Sequence, residues 1–367
     1  MTKTFQITHQ DGLARCGQLT TAHGTIETPF FMPAATKATG KVITTDDYAS
    51  LNIQALIANA LILSLKPGAE IVRKAGGLHQ FMNFKGIAFT DCGGFQMSRK
   101  IFERKTSKAL HFRNPYNNSK VMITPKTIME IELALDSDVA MMLDDMSGFG
   151  ASYDEAQLAM ENTHRWGKES LEWHNKLKGK SKQLLFGIIQ GNFYPDLRQQ
   201  SAEFITALDF DGLAIGGVAI GEPKEKMYGA VDAVLPFLPK DKPRYVMGVG
   251  SPKELLELIG RGIDCFDSVY PTQIGRRGTL LTKNGNLVLD QLKYRDDFKP
   301  IEEDCSCQAC RSYSRAYLHH LLKIREPIAK RFLSIHNLFF IKELIAGAKK
   351  AIKEGRFGEF KTNIQKS

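Results

Sequence analysis

Tryptophan is scarce in this chain, with two in 367 residues, Trp166 and Trp173. They sit seven apart on one predicted helix, where core packing explains them, and the chain is otherwise poor in the aromatic platforms that carbohydrate hydrolases often use. Long apolar runs are absent too: none approaches the roughly 20 residues that a membrane span requires. The first ten residues, M-T-K-T-F-Q-I-T-H-Q, contain no uninterrupted apolar segment of signal-peptide type, so a cytoplasmic protein is expected. Of six cysteines three crowd into Cys305, Cys307 and Cys310, and such crowding does not suit a disulfide framework in a large cytoplasmic protein. Cys16, Cys92 and Cys265 are scattered and read as small buried residues.

What is present is an ordinary globular composition, 43% hydrophobic and 24% charged, with a net charge of +9. From Arg311 to Ser367 there are 13 Lys+Arg and 4 Asp+Glu, which leaves 36 of each sign in the first 310 residues. All the excess positive charge therefore lies at the carboxy-terminal end, as a polyphosphate partner would favour or as a solubilising helical tail would supply.

Eight apolar runs of strand length alternate with amphipathic helical stretches: Phe30 to Ala35, Gln54 to Leu61, Gly86 to Asp91, Asp138 to Asp145, Leu184 to Gly191, Phe210 to Gly217, Arg244 to Gly250 and Cys265 to Tyr270. Start signals mark several helices. Ser251-Pro252-Lys253-Glu254 and the segment from Ser152 to Glu155 read as capping boxes, Thr124-Pro125 opens a helix carrying Ile128, Ile131 and Leu135, and Tyr194-Pro195 precedes one carrying Leu197, Phe204, Ile205 and Leu208. Eight such units predict a parallel (β/α)8 barrel, whose functional residues lie at the carboxyl ends of the strands. Those ends read Asn59, Asp91, Asp144 with Asp145, Gln190, Gly216 with Gly217, Gly250 and Asp267. Three strands ending in aspartate, joined by Asn59, Gln190 and glycines, favour a shared site over three separate turn-forming acids.

Two carboxylates across a cleft can break a glycosidic bond, one as nucleophile and one as acid and base. A third carboxylate with Gln190 and the backbone amides at Gly216, Gly217 and Val218 could read the edge of a purine such as guanine, with Phe95 and Met247 as candidate lids on its two faces. The last strand runs into C-F-D-S-V-Y-P-T-Q-I-G-R-R-G, Cys265 to Gly278, where Arg276 and Arg277 are spaced to meet an anion. Cys305-x-Cys307-x-x-Cys310 is a metal-binding pattern that needs one more ligand for a closed, structural zinc site. His336 in S-I-H-N-L would complete it; His319 and His320 are nearer in sequence, and otherwise read as a solvated helix face.

At this point the chain resembles a tRNA-guanine transglycosylase of bacterial type, from T-P-F-F-M-P-A to S-I-H-N-L-F-F. The motifs that carry the resemblance are T-D-C-G-G-F-Q-M, F-G-I-I-Q-G, I-G-G-V-A-I-G-E, R-Y-V-M-G-V-G-S-P, F-D-S-V-Y-P-T and C-x-C-x-x-C with its distant histidine. The resemblance implies an α/β protein, a TIM barrel with an amino-terminal β cap and a zinc-binding subdomain near the carboxy terminus. The expected divisions are 1–28 for the cap, 29–290 for the barrel, 291–340 for the zinc subdomain and 341–367 for a basic helical segment closing the barrel.

It further implies exchange of the wobble guanine of G-U-N anticodon tRNAs for a 7-deazaguanine base, preQ1 or queuine, in queuosine biosynthesis. Asp267 would be the nucleophile and Asp91 the general acid and base. Asp144, Gln190, Gly217, Val218 and Asn59 would hold the base, with Phe95 and Met247 stacking on it. Arg276, Gln273 and Arg277 would meet the tRNA. Cys305, Cys307, Cys310 and His336 would bind one structural Zn2+ per chain, and a homodimer is expected. Several positions depart from the family pattern. Cys92 replaces a serine, N-A-L-I-L replaces N-T-Y-H-L, Gln273 stands where an arginine is usual, and the pocket reads Asp144-Asp145-Met146 with a bulky Ile220. The last two point in opposite directions on which base enters. Rival readings are a glycosidic-bond hydrolase and a non-catalytic tRNA-binding subunit of a transglycosylase.

Overall fold

The computed structural model describes residues 3–93 and 102–366. The chain opens with an antiparallel sheet of β1 (Phe5–Asp11), β2 (Ala14–Thr21) and β3 (Gly24–Thr28). Then come β4 (Phe30–Pro33), β5 (Ala55–Asn59) and β6 (Ile87–Asp91). A second antiparallel sheet follows, of β7 (Phe102–Lys105), β8 (Leu110–Arg113) and β9 (Lys120–Ile123). The remaining strands are β10 (Val139–Met141), β11 (Leu184–Ile189), β12 (Gly212–Ile215), β13 (Arg244–Val246) and β14 (Cys265–Ser268), then the hairpin β15 (Thr279–Thr282) and β16 (Gly285–Val288).

Eight strands form one parallel sheet in the order β4-β14-β13-β12-β11-β10-β6-β5. A parallel bridge between Ala34 and Ile57, with Ala35 N–H donating to the Ile57 carbonyl at 2.7 Å, brings β5 back to β4 and closes the barrel. Each of the eight expected apolar runs contains one of these strands. Side chains fill the interior: the Phe89 ring meets Phe30, Phe186 and Tyr245 edge-on at 6.1, 5.7 and 6.1 Å, contacts between strands that are not neighbours in the sheet. This aromatic layer supports the polar strand ends above it. The β7-β8-β9 sheet has no counterpart in the sequence reading, because its strands are only four residues long and carry charges at five of their twelve positions.

The amino-terminal sheet covers the end of the barrel opposite the strand carboxyl ends. Buried Arg15 pairs with Asp264, just before β14, at 2.5 and 3.1 Å and donates to the Lys240 and Lys242 carbonyls near β13. Asp138, just before β10, accepts from His23 of the sheet turn and from His79, both at 3.0 Å. The His23 and His79 rings stack at 3.6 Å with their planes 18° apart.

Helix starts follow the sequence signals with one exception. Ser152 and Glu155 cap reciprocally, and Thr124 accepts from Thr127 N–H. Ser251 makes no side-chain cap bond, and the Glu254 carboxylate pairs with Lys224 instead of closing the box. On helix Pro195–Thr206, Phe204 lies outside the apolar face, 38% exposed and stacked on His164 at 4.2 Å.

The carboxy-terminal helix Pro327–Lys353 runs unbroken across residue 340. Phe332 and Leu333 join a small core with Leu280, Leu289, Ile301 and Leu318, whereas Ile335, Leu338, Ile341 and Leu344 pack on the barrel. Arg331 pairs with Asp47 at the first barrel helix, whose carboxyl is held below its usual range by that hydrogen bond against the effect of burial. No described helix is long and apolar enough to cross a membrane.

Candidate active site and metal cluster

A cavity of about 440 Å³ opens at the carboxyl ends of the barrel strands. Asn59, Asp91, Asp144, Gln190, Gly216, Gly217, Val218, Met247 and Asp267 all line it, as does Gln273 beyond β14. Period-two alternation and the parallel register explain the convergence. Asn59 pairs in register with Asp91 across β5 and β6, and Asp267 lies in the last strand, two positions round the ring beyond β5. Phe95 lies outside the described residues. Gly250 and Asp145 do not reach the cavity. Gly250 packs on Ser268, and Asp145 turns to Lys105 at 3.0 Å and Asn162 at 2.9 Å.

Asp267 Oδ1 accepts from the Tyr245 hydroxyl at 2.5 Å and from Gly248 N–H at 2.8 Å. Burial pushes its pKa up to about 6, with the nearby charge of Asp91 adding to the rise and the two donors opposing it. Asp91 accepts from Asn59 Nδ2 at 3.2 Å and from Gly93 N–H at 3.1 Å. Asn59 uses its oxygen to cap the helix Ala60–Leu65 through Ile62 N–H at 2.8 Å, which fixes the amide so that its nitrogen faces Asp91. The N-A-L-I-L departure thus keeps a side chain that orients Asp91.

Asp144 is buried and accepts from Gln190 Nε2 at 2.7 Å and from Cys92 Sγ at 3.3 Å. Burial raises its pKa to about 6, and the charge of Asp145 adds to this against the two donors. Cys92 therefore occupies a donor position here with a weaker donor than a hydroxyl. Gly216 and Gly217 admit the Gln190 amide: a Cβ at Gly216 would sit 2.7 Å from Gln190 Nε2, and Gly217 is at φ +65 with its Cβ direction filled by Gln190 Oε1.

Arg276 is half-buried and Arg277 exposed, and among the described residues neither forms an ion pair. Burial lowers the pKa of Arg276, and the charge of Arg277 adds to this. Gly275 gives this turn its close approach to the carboxy-terminal helix, since a Cβ there would meet the Leu333 carbonyl oxygen at 2.9 Å. Asn337 on that helix donates to the Pro271 and Thr279 carbonyls at 2.9 and 3.0 Å and accepts from Leu281 N–H at 2.9 Å.

Cys305, Cys307, Cys310 and His336 bring their ligand atoms within 4.8 Å of one another. His336 Nδ1 lies 3.7, 3.6 and 3.4 Å from the three sulfurs. A tetrahedron with metal–sulfur bonds near 2.3 Å and a metal–nitrogen bond near 2.05 Å has an S···N edge of about 3.5 Å, so the four residues fit a metal. His336 Nε2 donates to the Leu281 carbonyl at 2.8 Å, leaving Nδ1 with its lone pair toward the sulfurs. His319 is not on a solvated face as the sequence suggested: it is buried, with Nδ1 2.7 Å from the Leu289 carbonyl, whereas His320 is exposed.

Sequence reasoning missed two contributors. Tyr245 was read only as part of a strand, and Arg198 as part of a helix. The signal for Arg198 was a charged residue inside the stripe Leu197, Arg198, Ser201, Ala202, Ile205 that the helix buries.

The family model described as Queuine tRNA-ribosyltransferase matches residues 10–367. A Queuine tRNA-ribosyltransferase of Bacillus licheniformis is 45% identical over 349 residues, 95% of this chain and 91% of that protein. That of Desulforamulus reducens is 44% identical over 354 residues, covering 96% of this chain and 95% of its own. That of Pelotomaculum thermopropionicum is 44% identical over 367 residues, 99% of this chain and 98% of its own. With matches that span the barrel, the cavity and the cysteine cluster alike, the chain belongs to the queuine tRNA-ribosyltransferase family.

Proposed function

We propose that this protein is a tRNA-guanine transglycosylase that replaces the wobble guanine of G-U-N anticodon tRNAs with a 7-deazaguanine base. The observation that carries the reading is the pair Asp91 and Asp267 facing one cavity beside a third buried acid, Asp144, that is hydrogen-bonded to Gln190.

In this mechanism Asp267 attacks C1′ of the guanosine. Both donors bind Oδ1, which leaves Oδ2 as the oxygen without a donor among the described residues and hence the attacking atom. The C1′–N9 bond breaks and its electron pair leaves with guanine, which takes a proton from Asp91. Asp91 then removes the N9 proton of the incoming base, whose nitrogen attacks C1′ and releases the Asp267 carboxylate. Asp144 would accept from the N–H groups on the guanine edge, Gln190 and the amides of Gly217 and Val218 would meet its carbonyl, and Met247 and Phe95 would cover its faces. The guanosine must be splayed from the anticodon loop to reach a cavity of this depth.

Cys305, Cys307, Cys310 and His336 would hold one Zn2+, which supplies no open coordination position and so a structural role. Gln273, which lines the cavity, and Arg276 and Arg277 in the turn beyond it would meet the RNA. The same reading takes the protein as a cytoplasmic homodimer, with the cap, barrel, zinc subdomain and basic segment divided at 28, 290 and 340. Intact Asp91 and Asp267 favour it over a non-catalytic subunit.

The test is incorporation of radiolabelled guanine into tRNA with a G-U-N anticodon, with preQ1 and queuine as competitors. Wild type should incorporate guanine and Asp267→Ala should not. Activity retained by Asp267→Ala would sink the mechanism, and guanine release without any incoming base would favour the hydrolase.

A further inference from the structure

Arg198 has a fully buried guanidinium, yet its direct partners are all uncharged. Its Nε donates to the Asn192 carbonyl at 2.6 Å, Nη1 to the Ile189 and Gly216 carbonyls at 3.0 and 2.8 Å, and Nη2 to the Gly217 carbonyl at 3.3 Å. Burying a cation with only carbonyl acceptors is costly, and burial lowers its pKa to about 9 against the opposing charge of Glu222. The position is built for it. Gly191, at φ +130, lets the helix approach so closely that a Cβ there would lie 2.7 Å from Arg198 N.

A trans peptide is planar, so a carbonyl fixed on one side sends the following N–H to the other. With the Gly216 and Gly217 carbonyls held by Arg198, the N–H groups of Gly217 and Val218 point away from it, and both residues line the cavity. Among the described residues neither amide has a hydrogen-bond acceptor. The next two amides are taken: Glu222 accepts from Ala219 at 2.6 Å and Ile220 at 2.8 Å. Only the pair aimed by Arg198 is left for a ligand.

We infer that Arg198 is a positioning residue, which aims the Gly217 and Val218 amides at the six-position oxygen of the exchanged base without touching the base itself. The inference rests on the base-exchange reading above. A planar five-donor fork can hold four carbonyls at once, which a lysine cannot.

The experiment compares guanine with 2-aminopurine, which keeps the 2-amino edge and lacks the six-position oxygen, as competitors of labelled-guanine incorporation by wild type and Arg198→Lys. The inhibition constant of guanine should rise about tenfold in the variant, as for one misaligned hydrogen bond. That of 2-aminopurine should change less than about twofold, so discrimination between the two collapses. A variant that melts like wild type and discriminates equally well overturns the inference; a purely structural role would weaken both bases alike. If the variant does not fold, the amide resonances of wild type labelled with 15N at glycine and valine decide. Gly217 and Val218 should shift with guanine and not with 2-aminopurine, and equal responses overturn the inference. Failure of wild type to incorporate guanine at all would instead remove the reading on which it rests.

Discussion

Tyr245→Phe isolates how the barrel sets the charge of Asp267, the proposed nucleophile. The tyrosine hydroxyl donates to Asp267 Oδ1 at 2.5 Å, and its ring already packs edge-on against Phe89, so phenylalanine keeps the packing and deletes only the donor. Burial places Asp267 at about 6. The carboxylate form, which the proposed mechanism requires for attack on C1′, is then about 90% populated at pH 7, half at pH 6 and about 9% at pH 5. A hydrogen bond to a charged acceptor contributes about 1.5–3 kcal/mol, and each pKa unit corresponds to about 1.4 kcal/mol, so its loss raises Asp267 by about one to two units. The acid limb of kcat/KM for tRNA should move up to about pH 7–8. At pH 7 this costs about two- to tenfold, and above about pH 9 the rate should return to the wild-type plateau or exceed it, since a more basic carboxylate is the better nucleophile. The assay is single-turnover incorporation of labelled guanine across this pH range. A loss that is the same at every pH, or an acid limb that does not move, would refute the reasoning.

Asp144 also sits at about 6, above the value of a solvated carboxylate, so the folded chain binds a proton that the unfolded chain has released between about pH 4 and 6. Stability from this group is present below that window and lost as pH rises through it. Asp144→Asn should therefore melt a few degrees higher than wild type at pH 8 and equally near pH 4, while guanine incorporation falls at least about a hundredfold; a lower melting point at pH 8 would contradict the assignment of burial as the dominant cause. Removal of the metal by a chelator should lower the melting temperature and activity together, and Co2+ should restore both with an unchanged kcat. A kcat that follows the identity of the metal would show that the ion takes part in the chemistry. Met247→Ala should raise KM for guanine by a few fold to about tenfold through lost stacking, with kcat at saturating base unchanged.

The barrel was legible because strand-length apolar runs and helical stretches alternate eight times, and strand ends can be read directly once that frame is set. Asp91, Asp144, Gln190 and Asp267 came from this reading without any contact information. Gly250 was misjudged because the run Arg244 to Gly250 leaves the sheet after Val246, and it is Gly248 N–H that turns back to Asp267. Tyr245 lines the cavity but takes its role from Asp267 on β14, 22 residues on, and Arg198 lies behind the cavity with carbonyls at the end of β11 and after β12, 6 to 19 residues away; no local spacing encodes such contacts. The fourth ligand of the cysteine cluster was ambiguous on spacing alone for the same reason, and it is the fold that brings His336, not His319 or His320, to the three sulfurs.

Adjacent residues of one helix are His336 of the cysteine cluster and the clamp Asn337, and the clamp fastens the turn that carries Gln273, Arg276 and Arg277. Two binding events that order one shared element are thermodynamically reciprocal. Whatever factor the metal contributes to holding RNA on that turn, bound RNA must return to the metal. On the proposed function, metal should therefore be held more tightly in the tRNA complex than in the free protein, which would make the cysteine cluster a sensor of whether the cavity is in use.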